Sequence, residues 1–315
     1  MPDMPYNSSL TVIIPTYNRV ELLAKALAGY EKQSSPELIR ELLIVDDGST
    51  DGTEAFVQEF RGKSRLPVRY LRQSNEGPAA ARNLGISEAK SRLVLFTDSD
   101  IVPSHDLVEQ HSAWHGKHPE IYSAILGYVT WSPEVNPTPF MRWYGEDAML
   151  FAYRSTRGIT ELDFRFFYTC NLSVKTAFLR EYGHFNESFR SAAYEDTELG
   201  YRLSKHGMTL RYNPAAVGYH HQFFSFAAAC RKARANADAA QLFFQTEAGQ
   251  EVLRQMERKQ SRLSYRIAKA GAKAAAMVLH PIRSWIDSRI RLPGSFYHLF
   301  FWYDVNGFGK VAPEP

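Results

Sequence analysis

The chain has 315 residues, of which 44% are hydrophobic and 23% charged, and its formal net charge is +3. This composition is that of an ordinary globular protein with a sizeable core, and its two cysteines exclude a disulfide-rich scaffold. No window reaches about 18 continuous apolar residues, so we expect no transmembrane helix.

The cysteines and the N-terminal segment indicate the cellular compartment of the protein. Cys170 and Cys230 have neither the spacing of a metal site nor that of a disulfide framework, which favours a reducing compartment. The segment MPDMPYNSSL has no basic start followed by an apolar stretch, so we expect no secretory signal. We therefore expect a cytoplasmic protein, with at most a peripheral contact at the inner face of the membrane.

The first hundred residues alternate between short apolar strands and amphipathic helices. The apolar runs are continuous rather than alternating, as in strands that are covered on both faces. This order predicts an α/β fold with a mostly parallel sheet flanked by helices. The predicted strands are LTVIIP (Leu10–Pro15), ELLIVDD (Glu41–Asp47), VRYLRQ (Val68–Gln73) and RLVLFTD (92–98), with helices over residues 19–33, 53–60 and 77–89.

The pattern is looser beyond residue 100. Predicted elements are a helix over 106–118, a strand over Ala124–Trp131, a long loop or lid over 132–165, an extended segment over Phe167–Val174, helices over 175–182 and Tyr194–Gly207, and two short strands, LRYNP and AVGYHHQ. From Phe226 on, the chain is helical in pattern and basic: residues 226–312 hold 14 Lys and Arg against 6 Asp and Glu, a balance of +8. We predict a catalytic domain over 1–225 and a mainly helical extension over 226–315.

Polar loops follow four of the predicted strands. They are PTYNR (Pro15–Arg19), DDGSTDG (Asp46–Gly52), NEGPAAARN (Asn75–Asn83) and TDSD (Thr97–Asp100). In an open parallel sheet, ligands bind beyond the carboxyl ends of the strands, so these loops predict a binding site. The glycines match neither G-x-G-x-x-G nor a P-loop, so dinucleotide binding and ATP hydrolysis have no support.

The side chains of these loops suit a nucleoside diphosphate. Asp98 and Asp100 repel each other unless a cation lies between them, and Mg²⁺ or Mn²⁺ commonly binds one or two carboxylates and substrate phosphates. Alternatively, the pair caps the helix that follows. Arg82 can contact a base carbonyl or a phosphate. Asp47 can accept a hydrogen bond from a base, and Thr16 and Tyr17 offer a hydroxyl and a stacking ring.

The motifs VIIPTYNR, LLIVDDGSTDGT, NEGPAAARNLGISEA, LFTDSD and YEDTELGYRL together resemble the family 2 glycosyltransferases of the GT-A fold. The resemblance runs in order from Leu10 to His221. It implies an inverting transfer of sugar from a nucleotide-sugar, usually UDP-linked, with Mn²⁺ or Mg²⁺, in polysaccharide or glycoconjugate synthesis. By position, it implies nucleotide contacts for Pro15, Thr16, Tyr17, Arg19, Asp47, Arg82, Asp98 and Ser99, metal binding by Asp98 and Asp100, and catalysis by Asp196 with Glu195.

The Glu195–Asp196 pair and the late histidines each have a second interpretation. Inversion needs a carboxylate opposite the leaving phosphate, and Asp196 can supply it, with Glu195 holding the acceptor. Alternatively, both are first-turn residues that the helix dipole favours. His220 or His221 could be a third metal ligand or a phosphate contact. Adjacent strand residues face opposite ways, so at most one reaches the metal, and we assign His221. Alternatively, the two histidines only finish a strand.

The C-terminal segment carries a row of basic residues, Arg254, Arg258, Arg262, Arg266 and Lys269, followed by the aromatic stretch Gly294–Gly309. A basic amphipathic segment with aromatic residues can lie in a membrane interface near a lipid-linked or glycan acceptor. Equally, Phe296, Phe300 and Trp302 could pack against the catalytic domain while the arginines are solvated. A nucleic-acid partner does not fit the aspartate-lined site.

Two other functions compete with glycosyl transfer. A nucleotidyltransferase that makes nucleotide-sugars has a related sheet, but it needs a Gly-rich G-x-G-x-R-type loop where this chain has PTYNR. An inactive member that only binds a nucleotide or a partner is opposed by the presence of both aspartates and of Glu195–Asp196. The sequence does not identify the sugar or the acceptor.

Overall fold

The computed structural model describes residues 9–148, 150, 153–156, 158–260, 286 and 292–305. The chain divides into two compact units, residues 1–132 with 155–222 and residues 133–154 with 223–315. None of the helices in these described ranges is both long and apolar enough to span a bilayer.

The first unit is built on a nine-stranded sheet, in the order β3-β2-β1-β4-β8-β6-β9-β5, with β7 paired to β9. The strand pairs β1–β2, β1–β4, β2–β3 and β6–β9 are parallel, and the others are antiparallel. The strands are β1 Leu10–Thr16, β2 Ile39–Asp46, β3 Val68–Arg72, β4 Leu93–Thr97, β5 Ile101–Pro103, β6 Ser123–Trp131, β7 Glu161–Leu162, β8 Asn171–Lys175 and β9 Thr209–His220.

Helices flank the sheet and build the second unit. In chain order they are α1 Val20–Tyr30, α2 Thr53–Lys63, α3 Pro78–Glu88, α4 Leu107–Lys117, α5 Pro139–Arg142, α6 Thr176–Tyr182, α7 Glu195–Lys205, α8 Phe226–Ala235, α9 Ala237–Gln245, α10 Glu247–Gln260 and α11 Gly294–Val305. The first unit contains α1–α4, α6 and α7, and the second contains α5 and α8–α11.

The core explains why the first strands have continuous apolar runs. Val12 and Ile14 of β1 belong to the cluster that includes Leu23 and Leu27 of α1. Ile13, between them, lies so close to Gly85 of α3 that a Cβ there would be 2.6 Å from its side chain. Each face of β1 therefore packs on a helix, and each fully buried Leu or Ile contributes about 1.5–3 kcal/mol.

A buried polar network backs the sheet where β4 ends. Asn171 pairs with Thr97, the last residue of β4, and donates from Nδ2 to the carbonyl of Ala216 (2.8 Å). His111 of α4 joins Asn171 Oδ1 through Nε2 (2.9 Å) and Ser173 Oγ through Nδ1 (2.8 Å). His115 Nε2 reaches the same Ser173 oxygen at 2.9 Å. If both imidazole rings are neutral, one assignment of donors and acceptors satisfies all of these contacts.

Several predicted elements differ from the observed ones. The four early strands and their helices are present, but the sheet is mixed because β8 inserts antiparallel between β4 and β6. The two short late strands are one strand, β9, because the turn-like residues around Pro214 fall at a register shift opposite Gly127/Tyr128. The three-residue strand β5 is too short to produce a sequence pattern.

The second unit has an aromatic core. The ring of Phe140 lies 5.6 Å from Tyr144, 5.3 Å from Phe226 and 5.9 Å from Tyr297. The region predicted as a long loop over 132–165 therefore contains α5 and a π-helical turn over Trp143–Ala148. The aromatic residues of this region are not spaced with the period of a helix, because they pack into one cluster and do not lie along one face of a helix.

The described part of the C-terminal segment includes part of the basic row, with Arg254, and part of the aromatic stretch, with Phe300. Phe300 is buried, and Arg254 is exposed with Glu251 as its ion-pair partner at 2.8 Å. The side chains of Arg258 and Trp302, and all of the residues Arg262, Arg266 and Lys269, lie outside the described residues. Both interpretations of this segment stay predictions.

Candidate active site

The loops after β1 and β2 are joined by hydrogen bonds beyond the carboxyl ends of these strands. The Asn18 amide donates to Ser49 Oγ (2.9 Å), and the Thr50 amide donates to Asn18 Oδ1 (2.7 Å). Asn18 has a φ of 50°, in the left-handed region that Asn tolerates better than most residues. The turn leaves Tyr17 beside it 46% exposed, so the ring is open to a ligand.

Asp47 is buried at the end of β2 and organises the loop before α3. Its Oδ1 accepts from the side chain of Gln73 (2.7 Å) and the amide of Glu76 (2.8 Å), and its Oδ2 accepts from the amide of Gly77 (2.9 Å). A carboxylate has about four acceptor positions, so these contacts leave room for a further donor. Gly77 has a φ of 94°, and a Cβ there would lie 2.7 Å from the carbonyl oxygen of Arg190, so this turn requires glycine.

Arg82 connects the aspartate pair to the start of α7. Its Nη2 donates to Asp98 Oδ1 and its Nη1 donates to Glu195 Oε1, both at 2.9 Å. Arg82 and Glu195 are each 3% exposed, so this is a buried ion pair that holds two distant parts of the chain together. Removing either partner would leave the other buried without part of its compensation, which is costly.

Asp100, the second aspartate, has a different arginine partner. Arg19 Nη1 donates to Asp100 Oδ2 at 2.7 Å, and the Arg19 side chain is 43% exposed. The Nε2 atom of His220 lies 3.7 Å from the same oxygen. Asp98 and Asp100 therefore lie beside guanidinium groups that offset their repulsion.

The Glu195–Asp196 pair begins α7, directly after Tyr194, whose φ of 71° is rare for a large residue. Burial, and then the charge of Asp196, raises the pKa of Glu195, while Arg82 opposes the shift. Burial also raises the pKa of Asp196, again against Arg82. Asp196 is partly exposed, and its Oδ1 accepts from the amide of Thr197 (2.7 Å). Asp196 is thus the accessible carboxylate, and Glu195 is enclosed with Arg82.

The two late histidines point to different partners. His220 lies near Asp100, whereas His221 Nε2 lies 2.8 Å from Lys25 Nζ. An ammonium only donates, so His221 must accept through Nε2 in this contact. The assignment of His221 to a metal stays a prediction, and the ring of His220 lies near the Asp100 carboxylate.

The residues fit a divalent cation only if the ligand completes the site. Within the described ranges, no group of three or more His, Cys, Asp or Glu side chains is arranged to hold a metal ion. Asp98 and Asp100 supply hard carboxylate oxygens, which Mg²⁺ and Mn²⁺ prefer, and diphosphate oxygens and water would complete the coordination.

Pro15, Thr16 and Ser99 lie at the ends of these strands. Thr16 and Ser99 are buried, and Thr16 Oγ1 has no hydrogen-bond partner among the described residues. Pro15 lies one residue beyond Ile14, past the point where pairing of β1 with β4 stops at Ile13, so its missing N–H breaks no bond to β4.

Sequence reasoning missed Gln73, Lys25 and the arginine pairings. Gln73 and Lys25 stand outside the recognised motifs, and only the fold brings them to Asp47 and His221. The polar loops at the predicted edge of the sheet carry Arg19, Arg82 and the pair Asp98 and Asp100. Because arginine is suited to carboxylates, this composition could have suggested the ion pairs.

Comparison with known proteins identifies the family. The model of Glycosyl transferase family 2 matches residues 11–182. Validoxylamine A glucosyltransferase of Streptomyces hygroscopicus subsp. jinggangensis is 31% identical over 231 residues, 64% of this chain and 52% of that protein. Chondroitin synthase of Escherichia coli is 29% identical over 68% of this chain and 34% of that protein. The chain thus spans about half or less of these curated relatives.

Solved structures show the same fold. Residues 1–349 of Staphylococcus aureus TarS in complex with UDP match with a TM-score of 0.55 at 18% identity, over 95% of this chain and 90% of that one. The mannosyltransferase PcManGT of Pyrobaculum calidifontis, in complex with GDP-Man and Mn²⁺, matches with a TM-score of 0.59 at 17% identity, over 98% and 90%. The expected GT-A fold class is confirmed. By its sequence, this chain belongs to glycosyl transferase family 2.

Proposed function

We propose that this protein transfers a sugar from a nucleotide-diphosphate donor to a hydroxyl acceptor with inversion at the anomeric carbon. The observation that carries the proposal is the Asp98–Arg82–Glu195 ion-pair chain. It joins the aspartate pair beyond β4 to the acidic start of α7. The residue proposed to bind the leaving diphosphate is thus tied, through Arg82, to Glu195, the neighbour of the proposed base Asp196.

The proposed catalytic base is Asp196. Its partial exposure lets an acceptor hydroxyl approach, and a raised pKa brings it closer to the operating pH, which strengthens a general base. Glu195 acts differently in this proposal. Because its carboxylate is enclosed against Arg82, it holds the start of α7 in place rather than binding the acceptor.

The proposed donor is a UDP-sugar with Mn²⁺ or Mg²⁺. Asp47 has acceptor capacity left for the N3–H of uracil, and the exposed ring of Tyr17 can stack on the base. Asp98 and Asp100 would hold the cation, which would stabilise the charge on the leaving diphosphate. Among solved neighbours, TarS was determined with UDP and PcManGT with GDP-Man and Mn²⁺, so the choice of base needs its own test.

The test is calorimetric titration of the full chain with UDP, GDP and ADP, with and without Mn²⁺. With Mn²⁺ present, we expect UDP to bind more tightly than GDP or ADP. Without Mn²⁺, we expect UDP to bind only weakly. An Asp100→Asn variant should lose the Mn²⁺ effect, whereas the matched variant Glu59→Gln, on the exposed side of α2, should behave as wild type. Tighter GDP binding would refute the choice of uracil, and metal-independent binding would refute the cation.

Turnover needs a separate experiment, because binding alone fits an inactive nucleotide-binding protein. We expect the full chain with Mn²⁺ to hydrolyse a UDP-sugar slowly in the absence of acceptor, with water in the acceptor position. No released sugar from any of a panel of nucleotide-sugars, despite clear nucleotide binding, would favour the inactive alternative.

We also propose that the basic C-terminal segment brings the enzyme to an anionic membrane surface with a lipid-linked or envelope-bound acceptor. The support is the +8 balance of residues 226–312. Attraction is worth about 1 kcal/mol per basic residue near anionic lipid and decays within a Debye length. Sedimentation with liposomes should rise with anionic lipid and fall with salt. A protein that stays in the supernatant at every composition would exclude this role.

A further inference from the structure

The two aspartates of the candidate site have guanidinium partners of very different exposure. Arg82 is buried to 4% side-chain exposure and bridges Asp98 to Glu195, so it cannot move without breaking a second buried ion pair. The Arg19 side chain is 43% exposed, while the Asp100 carboxylate that it contacts is 5% exposed. One partner is therefore fixed, and the other is able to leave.

We propose that Arg19 is an exchangeable counter-ion: it neutralises Asp100 before the donor binds, and a divalent cation displaces it onto the donor diphosphate. This inference rests on the proposed function, because it assumes that Asp100 binds a cation together with a nucleoside diphosphate. It assigns Arg19 a role before substrate arrives, in addition to the nucleotide contact expected from the sequence.

Electrostatics makes the exchange necessary. A carboxylate as buried as that of Asp100 is costly without a compensating charge, and Arg19 supplies one at 2.7 Å. A cation on the same oxygen would replace that charge and repel the guanidinium. A bound donor would supply a diphosphate for the displaced guanidinium, and phosphate oxygens match the fork of an arginine.

The local backbone permits this movement without refolding. Arg19 precedes α1, its carbonyl accepts from the amide of Leu23 (2.9 Å), and the next amide, Val20, donates to Asp51 Oδ2 (2.9 Å). These bonds fix the main chain at Arg19, while its long side chain is 43% exposed. Exchange therefore needs only new side-chain rotamers, which exposed residues sample in picoseconds to nanoseconds.

The inference predicts opposite effects on two affinities. Without nucleotide, Arg19 competes with the cation, so Arg19→Gln should bind Mn²⁺ about threefold to tenfold more tightly, the scale of one partly exposed ion pair. With Mn²⁺ present, the same variant should bind UDP about tenfold more weakly, because a charged contact to the diphosphate is lost. A residue with only a structural role would not shift the two affinities in opposite directions.

The experiment titrates the full chain with Mn²⁺, reading free Mn²⁺ by electron paramagnetic resonance, and then titrates UDP at saturating Mn²⁺. Arg19→Lys keeps the charge and should return the Mn²⁺ affinity to within about twofold of wild type, as expected for a point charge at the same place. Lys63→Gln is the control, since Lys63 is an exposed cation at the C-terminal end of α2 and contacts Glu59 at 2.6 Å. It should change neither affinity.

The outcomes separate this inference from the proposed function. Mn²⁺ affinity that is unchanged or weaker in Arg19→Gln, with wild type binding both ligands, overturns the exchange and leaves the proposed function standing. A wild type that binds neither Mn²⁺ nor UDP overturns both. Tighter Mn²⁺ binding together with weaker UDP binding in Arg19→Gln, and neither change in the Lys63→Gln control, supports the exchange.

Discussion

Acidification should destabilise the first unit through the buried histidines of α4. Burial lowers the pKa of His111 to about 4, with the hydrogen bond to Asn171 opposing the shift. Burial also lowers the pKa of His115, and the charge of Lys175 acts in the same direction. Both rings are therefore neutral in the folded protein at neutral pH, and neutral rings satisfy the hydrogen bonds of the network.

The magnitude follows from proton linkage. In the unfolded chain His111 binds a proton below about pH 6.5, whereas in the folded protein it does so only near pH 4. The unfolded state thus binds more protons between these values, so stability present above pH 6.5 is lost as the pH falls. At about 1.4 kcal/mol for each pKa unit, the loss from His111 alone is about 3 kcal/mol.

The assay is urea unfolding of the wild type and of His111→Gln at several pH values from 7.0 to 4.5. Glutamine keeps a donor and an acceptor but cannot bind the proton, so the free energy of unfolding should fall less steeply with acid in the variant. His105→Gln, on the exposed residue before α4, is the control and should retain the wild-type slope. Other titrating groups, including Glu195 and Asp196, are common to all three proteins and cancel in the comparison.

The refuting result is an equal loss of stability with acid in the wild type and in His111→Gln. The difference between slopes is decisive, because the variant is expected to be less stable than wild type at every pH. Equal slopes would mean that His111 is protonated equally in the folded and unfolded states.

Three further predictions concern catalysis and packing. Asp196→Asn should lower turnover by about a hundredfold or more while leaving donor affinity nearly unchanged, and lost affinity with normal turnover at saturating donor would make Asp196 a binding residue. Wild-type turnover should fall with acid at a higher pH than an ordinary Asp would give, because Asp196 must be ionised and its pKa is raised; a pH–rate profile measures this. Gly127→Ala should lower the free energy of unfolding by about 1–3 kcal/mol, because its Cβ would lie 2.2 Å from Asn171 Nδ2. Gly62→Ala, on α2 with open space around it, should raise the free energy of unfolding by about 0.5–1 kcal/mol. The urea assay measures both variants.

The residues of the candidate site could be predicted from local patterns. Their hydrogen-bond and ion-pair partners could not. Tyr17 and Asp47 directly follow recognisable strands, and parallel strands bring their carboxyl ends to one edge. The bridge from Arg82 to Glu195 spans 113 residues, and the contact of Lys25 with His221 spans 196. A pairing over such distances depends on where several elements pack, which no local motif contains.

The sequence by itself determined the order of strands and helices over residues 10–97, the polar edge and the family, because these depend on local periodicity and on motifs in fixed register. Tertiary structure alone decided that β8 runs antiparallel beside β4, that β9 is one strand and that Phe140 is a core residue. It also decided which carboxylate of the Glu195–Asp196 pair is enclosed and which is accessible. Adjacent acidic residues carry the same local signal, and their burial depends on the neighbours that folding brings to each.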